Sequence, residues 1–311
     1  MLIDSFVHIR PFSAQQAHLT QVPFLDRKID HLFDRLSSSG VDRLYNMSMD
    51  FLNRRDNRFM PRANARAGKL VQRMVLGANI PFCSAKNETD LLASMSANGI
   101  DRAIVSAIEP FSDSKHVLSV CSKNPKLLPV VSFTAEEANV GTLFAHYLKK
   151  GARGVHLNPV LERMAPQSER YFEIADLARS KHVPVICRTG VTATLGRFDG
   201  ALSDIRNYES LVKGFPECTF IMTQSNSGDY RVAIDFAKKH PNCYLDTAWQ
   251  TRDSIRNMIR ALGSERILLA SGWPVLGNQQ KVQLRILAKL GLPDDDFENI
   301  TWRNATRIFR L

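Results

Sequence analysis

Short runs rich in β-branched and aliphatic residues recur along this chain, separated by stretches whose apolar positions fall three and four residues apart. The runs are "LIDSFVHI" at the start, "AIVSA" from Ala103, "LPVVSF" from Leu128 and "RGVHL" from Arg153. They continue with "PVICR" from Pro184, "TFIMT" from Thr219, "CYLDT" from Cys243 and "ILLAS" from Ile267. Stretches such as "SERYFEIADLARSKH" and "YRVAIDFAKKH" between them read as amphipathic helices. Strands alternating with helices argue for a parallel sheet covered by helices. Eight repeats over 311 residues favour a closed (β/α)8 barrel, the TIM-barrel architecture, over an open sheet. The α/β assignment covers residues 1–311 as a single domain, and "DDDFENITWRNATRIFRL" reads as a helical cap over 290–311.

The second strand has two candidates. "IDHLFDRLSSSGVDRLYNMS" from Ile29 and "TDLLASMSANGIDRAIVSA" from Thr89 share a pattern of helix, small polar turn, glycine, Val/Ile-Asp-Arg and an apolar run. The later copy is apolar throughout its strand and keeps the count at eight, so it is preferred. Residues 10–88 then form a long insertion after the first strand, a lid-like element on a face where long loops usually carry function.

The insertion is basic. "RRDNRFMPRANARAGKLVQR" holds Arg54, Arg55, Arg58, Arg62, Arg66, Lys69 and Arg73 against Asp56, within a chain of net charge +10. Such an excess favours anionic partners. No recognised nucleic-acid-binding motif accompanies it, so a solvated basic face or a lid that attracts a small anion is the expected reading, and nucleic acid ranks last. No apolar run approaches the length of a membrane span. "MLIDSFVHI" carries no basic leader or cleavage site, which points to a cytoplasmic protein. The five cysteines are odd in number and widely spaced, giving neither a disulfide framework nor a zinc knuckle. Cys187 and Cys243 fall in strands, as small buried hydrophobes do.

Taken in order, "MLIDSFVHI", "GARGVHLNPV", "VPVICRTG", "TFIMTQSNSG", "HPNCYLDTA", "LGSERILLASGWP" and "NATRIFRL" resemble the amidohydrolase superfamily, in its amidohydrolase-related branch. The resemblance implies the barrel, a homodimer or larger assembly, and chemistry on small carboxylates by metal-dependent hydrolases and decarboxylases or metal-free lactonases. It also implies where a divalent metal is held. The family's first strand ends Asp-x-His-x-His, where this chain has Asp4-Ser5-Phe6-Val7-His8. The fifth-strand histidine is matched by Arg188, the sixth-strand histidine by Gln224, and the eighth-strand aspartate by Gly272, followed by Trp273.

A catalytic zinc-type site rests on about three protein ligands and an open position. Of this set His8 alone is retained, and Arg188 is a permanent cation that cannot ligate. The expectation is therefore no metal and no cofactor. Arg188 suits capture of a carboxylate, with Gln224, Asn158 and Trp273 as further substrate-binding residues and His8 or His156 as general acid or base. Asp4 and Asp246 read as braces of the barrel. Two functions fit: a metal-independent hydrolase or carboxy-lyase acting on a small anionic carboxylate, or a catalytically silent barrel that binds an anionic metabolite or an active paralogue. Function lives in the site and not in the fold.

Overall fold

The computed structural model describes residues 1–9, 87–109, 112–134, 136–190, 202–274 and 279–311, with the backbone of 193–194 and 197–198. The expected insertion, apart from residues 87 and 88, and the earlier helix-turn pattern from Ile29 lie outside the described residues.

Eight strands among the described residues form the barrel wall: β1 (Ile3–Val7), β2 (Arg102–Ser106), β3 (Leu127–Val130), β4 (Val155–Leu157), β5 (Val185–Gly190), β6 (Phe220–Ser227), β7 (Cys243–Asp246) and β8 (Ile267–Leu268). All eight overlap the runs expected to form them, with β5 and β6 running on past theirs, and the later copy supplies β2. Neighbours pair in parallel as β1-β2-β3 and as β4-β5-β6-β7-β8. Two seams join the halves. His156 N–H donates to Val131 O at 2.7 Å across the first. At the second, Ser5 N–H donates to Leu269 O at 2.8 Å and Gly272 N–H to Phe6 O at 2.9 Å. The ring of strands thereby closes.

The helices fit their sequences. In α1 (Glu88–Asn98) Asn87 caps the first turn, Asp90 returns the bond to the Asn87 N–H, and Leu91 and Met95 form the buried stripe. The helix Arg252–Leu262 likewise starts on a Thr251–Ser254 capping box and buries Ile255 and Met258. The outward strand positions Val185, Cys187, Phe220, Met222, Cys243, Leu245, Ile267 and Leu269 pack in one cluster with such helical residues. Cys187 and Cys243 are free thiols, and burial pushes both above their ordinary range. No helix among the described residues is long and apolar enough to cross a membrane.

The barrel interior changes character along its axis. Side chains alternate across a strand, and Ile104, Val130, Ile186, Ile221 and Leu268 meet Phe6 in the lumen. Ala305, Ile308 and Phe309 of the C-terminal helix (Asn304–Phe309) join that cluster and close the floor. Two residues further on, the inward positions are Ser106, Arg188, Thr223 and Asp246, all buried. An apolar layer thus gives way in one step to a polar one at the C-terminal ends of the strands, the end where barrels of this kind carry their sites.

A bulge sorts the first strand. Asp4 pairs with Ala103 and Val7 with Val105, so Ser5 and Phe6 together oppose Ile104. Asp4 consequently faces outward, where it accepts from Ser271 N–H at 2.9 Å, Ser271 Oγ at 2.6 Å and Gln280 Nε2 at 3.0 Å. It bolts the second seam, while Phe6 and His8 enter the lumen.

Gly190 ends β5 two residues past Arg188, at φ 83°, and a Cβ there would lie 2.2 Å from Ser227 N and 2.6 Å from the Asn226 carbonyl carbon. Gly190→Ala is expected to cost about 3 kcal/mol or more, through backbone strain and overpacking together. Urea denaturation would register this as a lowered midpoint at unchanged m; a midpoint equal to the parent's would show that β5 and β6 do not approach so closely.

Candidate functional site

The polar layer gathers side chains from five strands. His8 follows β1, His156 comes from β4, Arg188 from β5, Thr223 from β6 with Gln224 next to it, and Asp246 from β7. All are buried. His8 Nδ1 lies 2.8 Å from Ser106 O and His156 Nδ1 lies 2.9 Å from Ala107 O. A carbonyl oxygen only accepts, so each Nδ1 carries the proton, and each ring in its neutral form turns an Nε2 lone pair the other way. The two imidazoles stack with centroids 6.1 Å apart, and Phe6 meets His8 edge-on at 4.5 Å and His156 at 5.4 Å. His156 Nε2 is buried with no partner among the described residues. Burial, with the nearby Arg188 charge, lowers the His156 pKa to about 4, against the pull of its bond to Ala107. It is neutral at pH 7.

Arg188 is 5% exposed, and among the described residues its guanidinium makes one long hydrogen bond, from Nη1 to Thr189 O at 3.4 Å. Burial lowers its pKa to about 9, opposed by Tyr208 and Asp246. It stays cationic near neutrality. Arg188 and Asp246 feel each other's charge without closing an ion pair among the described residues. The guanidinium instead lies 5.2 Å from the centroid of the Trp249 ring. Behind the strand, Tyr208 Oη donates to Arg188 O at 2.9 Å and fixes the backbone from which the side chain springs.

Asp246 braces and also remains available. Its Oδ1 accepts from Gln224 N–H at 2.8 Å and Ala248 N–H at 3.1 Å. Its Oδ2 and the nearby Thr223 Oγ1 are both buried, and neither closes a hydrogen bond of good geometry among the described residues. Burial raises the Asp246 pKa to about 7, while the neighbouring Thr223 hydroxyl, the Gln224 and Ala248 amides and the Arg188 charge pull it down. The Asp246 bond holds an unusual backbone: Gln224, Ser225 and Asn226 are all left-handed, with φ of 63°, 43° and 53°. Three such non-glycine residues in a row are costly, and strain of this kind concentrates at functional sites. The Gln224 side-chain Oε1 is buried and unpartnered.

The remaining expected residues sit apart from this group. Asn158 caps the one-turn helix after β4, its Oδ1 accepting from Leu161 N–H at 3.3 Å and its own N–H donating to Glu162 Oε1 at 2.8 Å. Trp273 packs outside the barrel wall with Val7, Ile9, Leu91 and Met95, because it follows the outward phase of β1 across the seam. The aromatic that does reach the polar layer is Trp249, which sequence reasoning passed over. Its one signal was a large apolar residue directly after a strand end, in "CYLDTAWQ".

Trp249 also explains Gly272. A Cβ at Gly272 would lie 2.8 Å from Trp249 Nε1, so the indole occupies the room that a side chain there would need. Among the described residues no three His, Cys, Asp or Glu side chains gather as the donor set of a metal ion.

With this geometry, comparison with known proteins becomes informative. The amidohydrolase family model matches residues 76–311, and the chain belongs to that family. Its fold is similar to that of an uncharacterized TIM-barrel protein from Bordetella bronchiseptica, at 18% identity with 99% of this chain and 98% of that chain covered and a TM-score of 0.66. It is also similar to 5-carboxyvanillate decarboxylase from Sphingomonas paucimobilis, at 14% identity, 100% and 99% coverage and a TM-score of 0.63. A third similar structure is a probable 2-pyrone-4,6-dicarboxylic acid hydrolase from Acinetobacter baumannii with citric acid bound, at 10% identity, 100% and 99% coverage and a TM-score of 0.59. At these identities the likeness is one of fold. No curated protein matches the chain.

The two shifted groups give opposite pH dependences. Asp246, raised from 3.8 to about 7, contributes stability that is complete below pH 3.8 and lost as pH rises through about 7. His156, lowered from 6.5 to about 4, contributes stability present above 6.5 and lost as pH falls through about 4. Asp246→Asn should therefore make stability fall more steeply on acidification across that window, and His156→Gln should do the reverse. Each slope change is bounded at about 1.4 kcal/mol per pH unit for one proton. Urea midpoints measured between those pH values would reveal it, and parallel curves for parent and variants would contradict the assignments.

Proposed function

We propose that this chain is a metal-independent hydrolase or carboxy-lyase that acts on a small anionic carboxylate. The single observation that carries the reading is Arg188, a buried guanidinium in the polar layer with no carboxylate partner among the described residues. Burying a charge without a partner is expensive, and a substrate anion supplies the missing partner with the fork geometry that suits arginine.

The neighbouring groups suit proton movement. His156 is a neutral imidazole whose Nδ1–H is held by Ala107 O, leaving Nε2 to accept a proton from water or substrate. Its low basicity rises once a bound carboxylate offsets the Arg188 charge that helps depress it. Asp246, with a pKa of about 7, can hold a proton at neutral pH and return it through Oδ2. Two titratable groups pushed in opposite directions by one environment form an acid and base pair. Gln224 and Thr223 are at hand to orient substrate oxygens.

A divalent ion does not fit this donor set. Phe6 takes the place of a ligand, Arg188 would repel the ion, and the Trp249 indole fills the room over Gly272. The named activities of two similar structures, decarboxylation of a carboxyvanillate and hydrolysis of a dicarboxylic acid, support carboxylate chemistry in this reading.

Succinate or citrate is expected to raise the melting temperature of the full-length chain by several degrees, since a hundredfold excess over Kd stabilises by about 2.7 kcal/mol. Arg188→Met should abolish the shift, and chelator should leave it intact. Turnover found in a carboxylate substrate screen should be lost in His156→Asn; binding without turnover in any substrate would favour the silent barrel. Stoichiometric zinc or manganese in protein purified without chelator would overturn the reading.

A further inference from the structure

The turn after β7 sets a tryptophan in a conformation that its side chain does not favour. Gln250 N–H donates to Thr247 O at 3.0 Å, closing a four-residue turn whose third position is Trp249 at φ 58°. A positive φ at that position ordinarily selects glycine or asparagine, and a bulky residue there is an outlier held in place by its surroundings. The result is a particular placement of the indole. The residue is 7% exposed, its ring carries the Arg188 guanidinium on its face, and its Nε1 is buried with no hydrogen-bond partner among the described residues.

The indole edge has a close neighbour in Gly272. The point where a Gly272 Cβ would stand is 2.8 Å from Nε1, but 3.4 Å from Cδ1 and 3.5 Å from Cε2. The nitrogen is therefore the ring atom nearest Gly272, and the indole edge takes the room that a side chain there would need. A buried donor without a partner is unsatisfied until an acceptor arrives. Meanwhile an arginine stacked on an aromatic face keeps the N–H groups at its planar edge available for a second partner.

We propose that Trp249 is a substrate-binding residue, its indole N–H and the Arg188 guanidinium on its ring together holding one carboxylate group of the ligand. This rests on the anion-binding reading above and deepens it. The pair divides the work: the guanidinium supplies charge, and the neutral indole supplies one fixed direction. A carboxylate has lone pairs enough to accept from both, whereas an amide or ester carbonyl of similar size lacks the charge that Arg188 requires. Specificity for a free acid follows.

The test uses the ¹⁵N-labelled full-length chain titrated with succinate and with citrate. Its three tryptophans, Trp249, Trp273 and Trp302, give three indole cross-peaks, and the one missing from Trp249→Phe identifies the residue. The Trp249 cross-peak is expected to move downfield and saturate at the calorimetric Kd, while that of Trp273, in the outer cluster, stays. Trp249→Phe, which keeps a ring beneath Arg188, should weaken binding about tenfold or more, as for one hydrogen bond to a charged group. Gly272→Ala, which sets a methyl against Nε1, should weaken it as well, and serves if the phenylalanine variant does not fold; the cross-peak is then assigned from its own backbone contacts. Binding that depends on Arg188 but leaves the Trp249 peak unmoved and survives both variants overturns this inference and leaves the proposed function standing. A parent chain that binds neither probe overturns both.

Discussion

A guanidinium shut inside a barrel organises everything near it. The Arg188 charge helps keep His156 neutral, draws the Asp246 carboxyl part of the way back toward ionisation, and lies against the electron-rich face of Trp249. Guanidinium is more weakly hydrated than ammonium and tolerates an aromatic neighbour, so arginine can stay charged where lysine would lose its proton. The apolar layer directly beneath, Ile104, Ile186 and Ile221 among it, denies water from below. The site is in this sense a cation with a fixed address: burial shifts His156 and Asp246 most, and the charge adds to the first shift and opposes the second.

Much of the barrel was legible in the sequence. Runs of β-branched residues at regular spacing gave all eight strands, since each strand must bury both faces in such an architecture. The strand ends and the family resemblance brought His8, His156, Arg188 and Gln224 to the mouth, and alternation across the pleat is why Arg188 and Asp246 face the lumen while Cys187 and Leu245 pack outside. The bulge that opposes Ser5 and Phe6 to Ile104 was not legible, and it decides that Asp4 faces away from the lumen. Bulges depend on the partner strand, which a single run of residues does not display. For the same reason Trp273 lies against Leu91 and Met95 outside the wall, where a reading from its neighbour Gly272 set it in the mouth. Trp249 escaped notice because its position comes from a turn with positive φ, a conformation that no residue preference of tryptophan foretells.

Membership of the amidohydrolase family and likeness to decarboxylase and hydrolase folds describe a scaffold shared at 10% to 18% identity. What distinguishes this chain lies in a handful of strand ends. Gly272 and Trp249 act as one unit, because the indole needs the room that the glycine concedes. Phe6 likewise fits against two histidines whose Nδ1 protons are directed to backbone carbonyls, so the wall sets the orientation of both rings.

The seam between β1 and β8 has a consequence for how the molecule is made. Asp4 and Ser271 are 267 positions apart in the chain, and their bonds help close the ring. Loop closure over such a separation is entropically costly and slow. The opening segment must wait, unpaired on one edge, until nearly all of the chain has emerged, so the cavity that houses Arg188 is among the last features of the molecule to come into being.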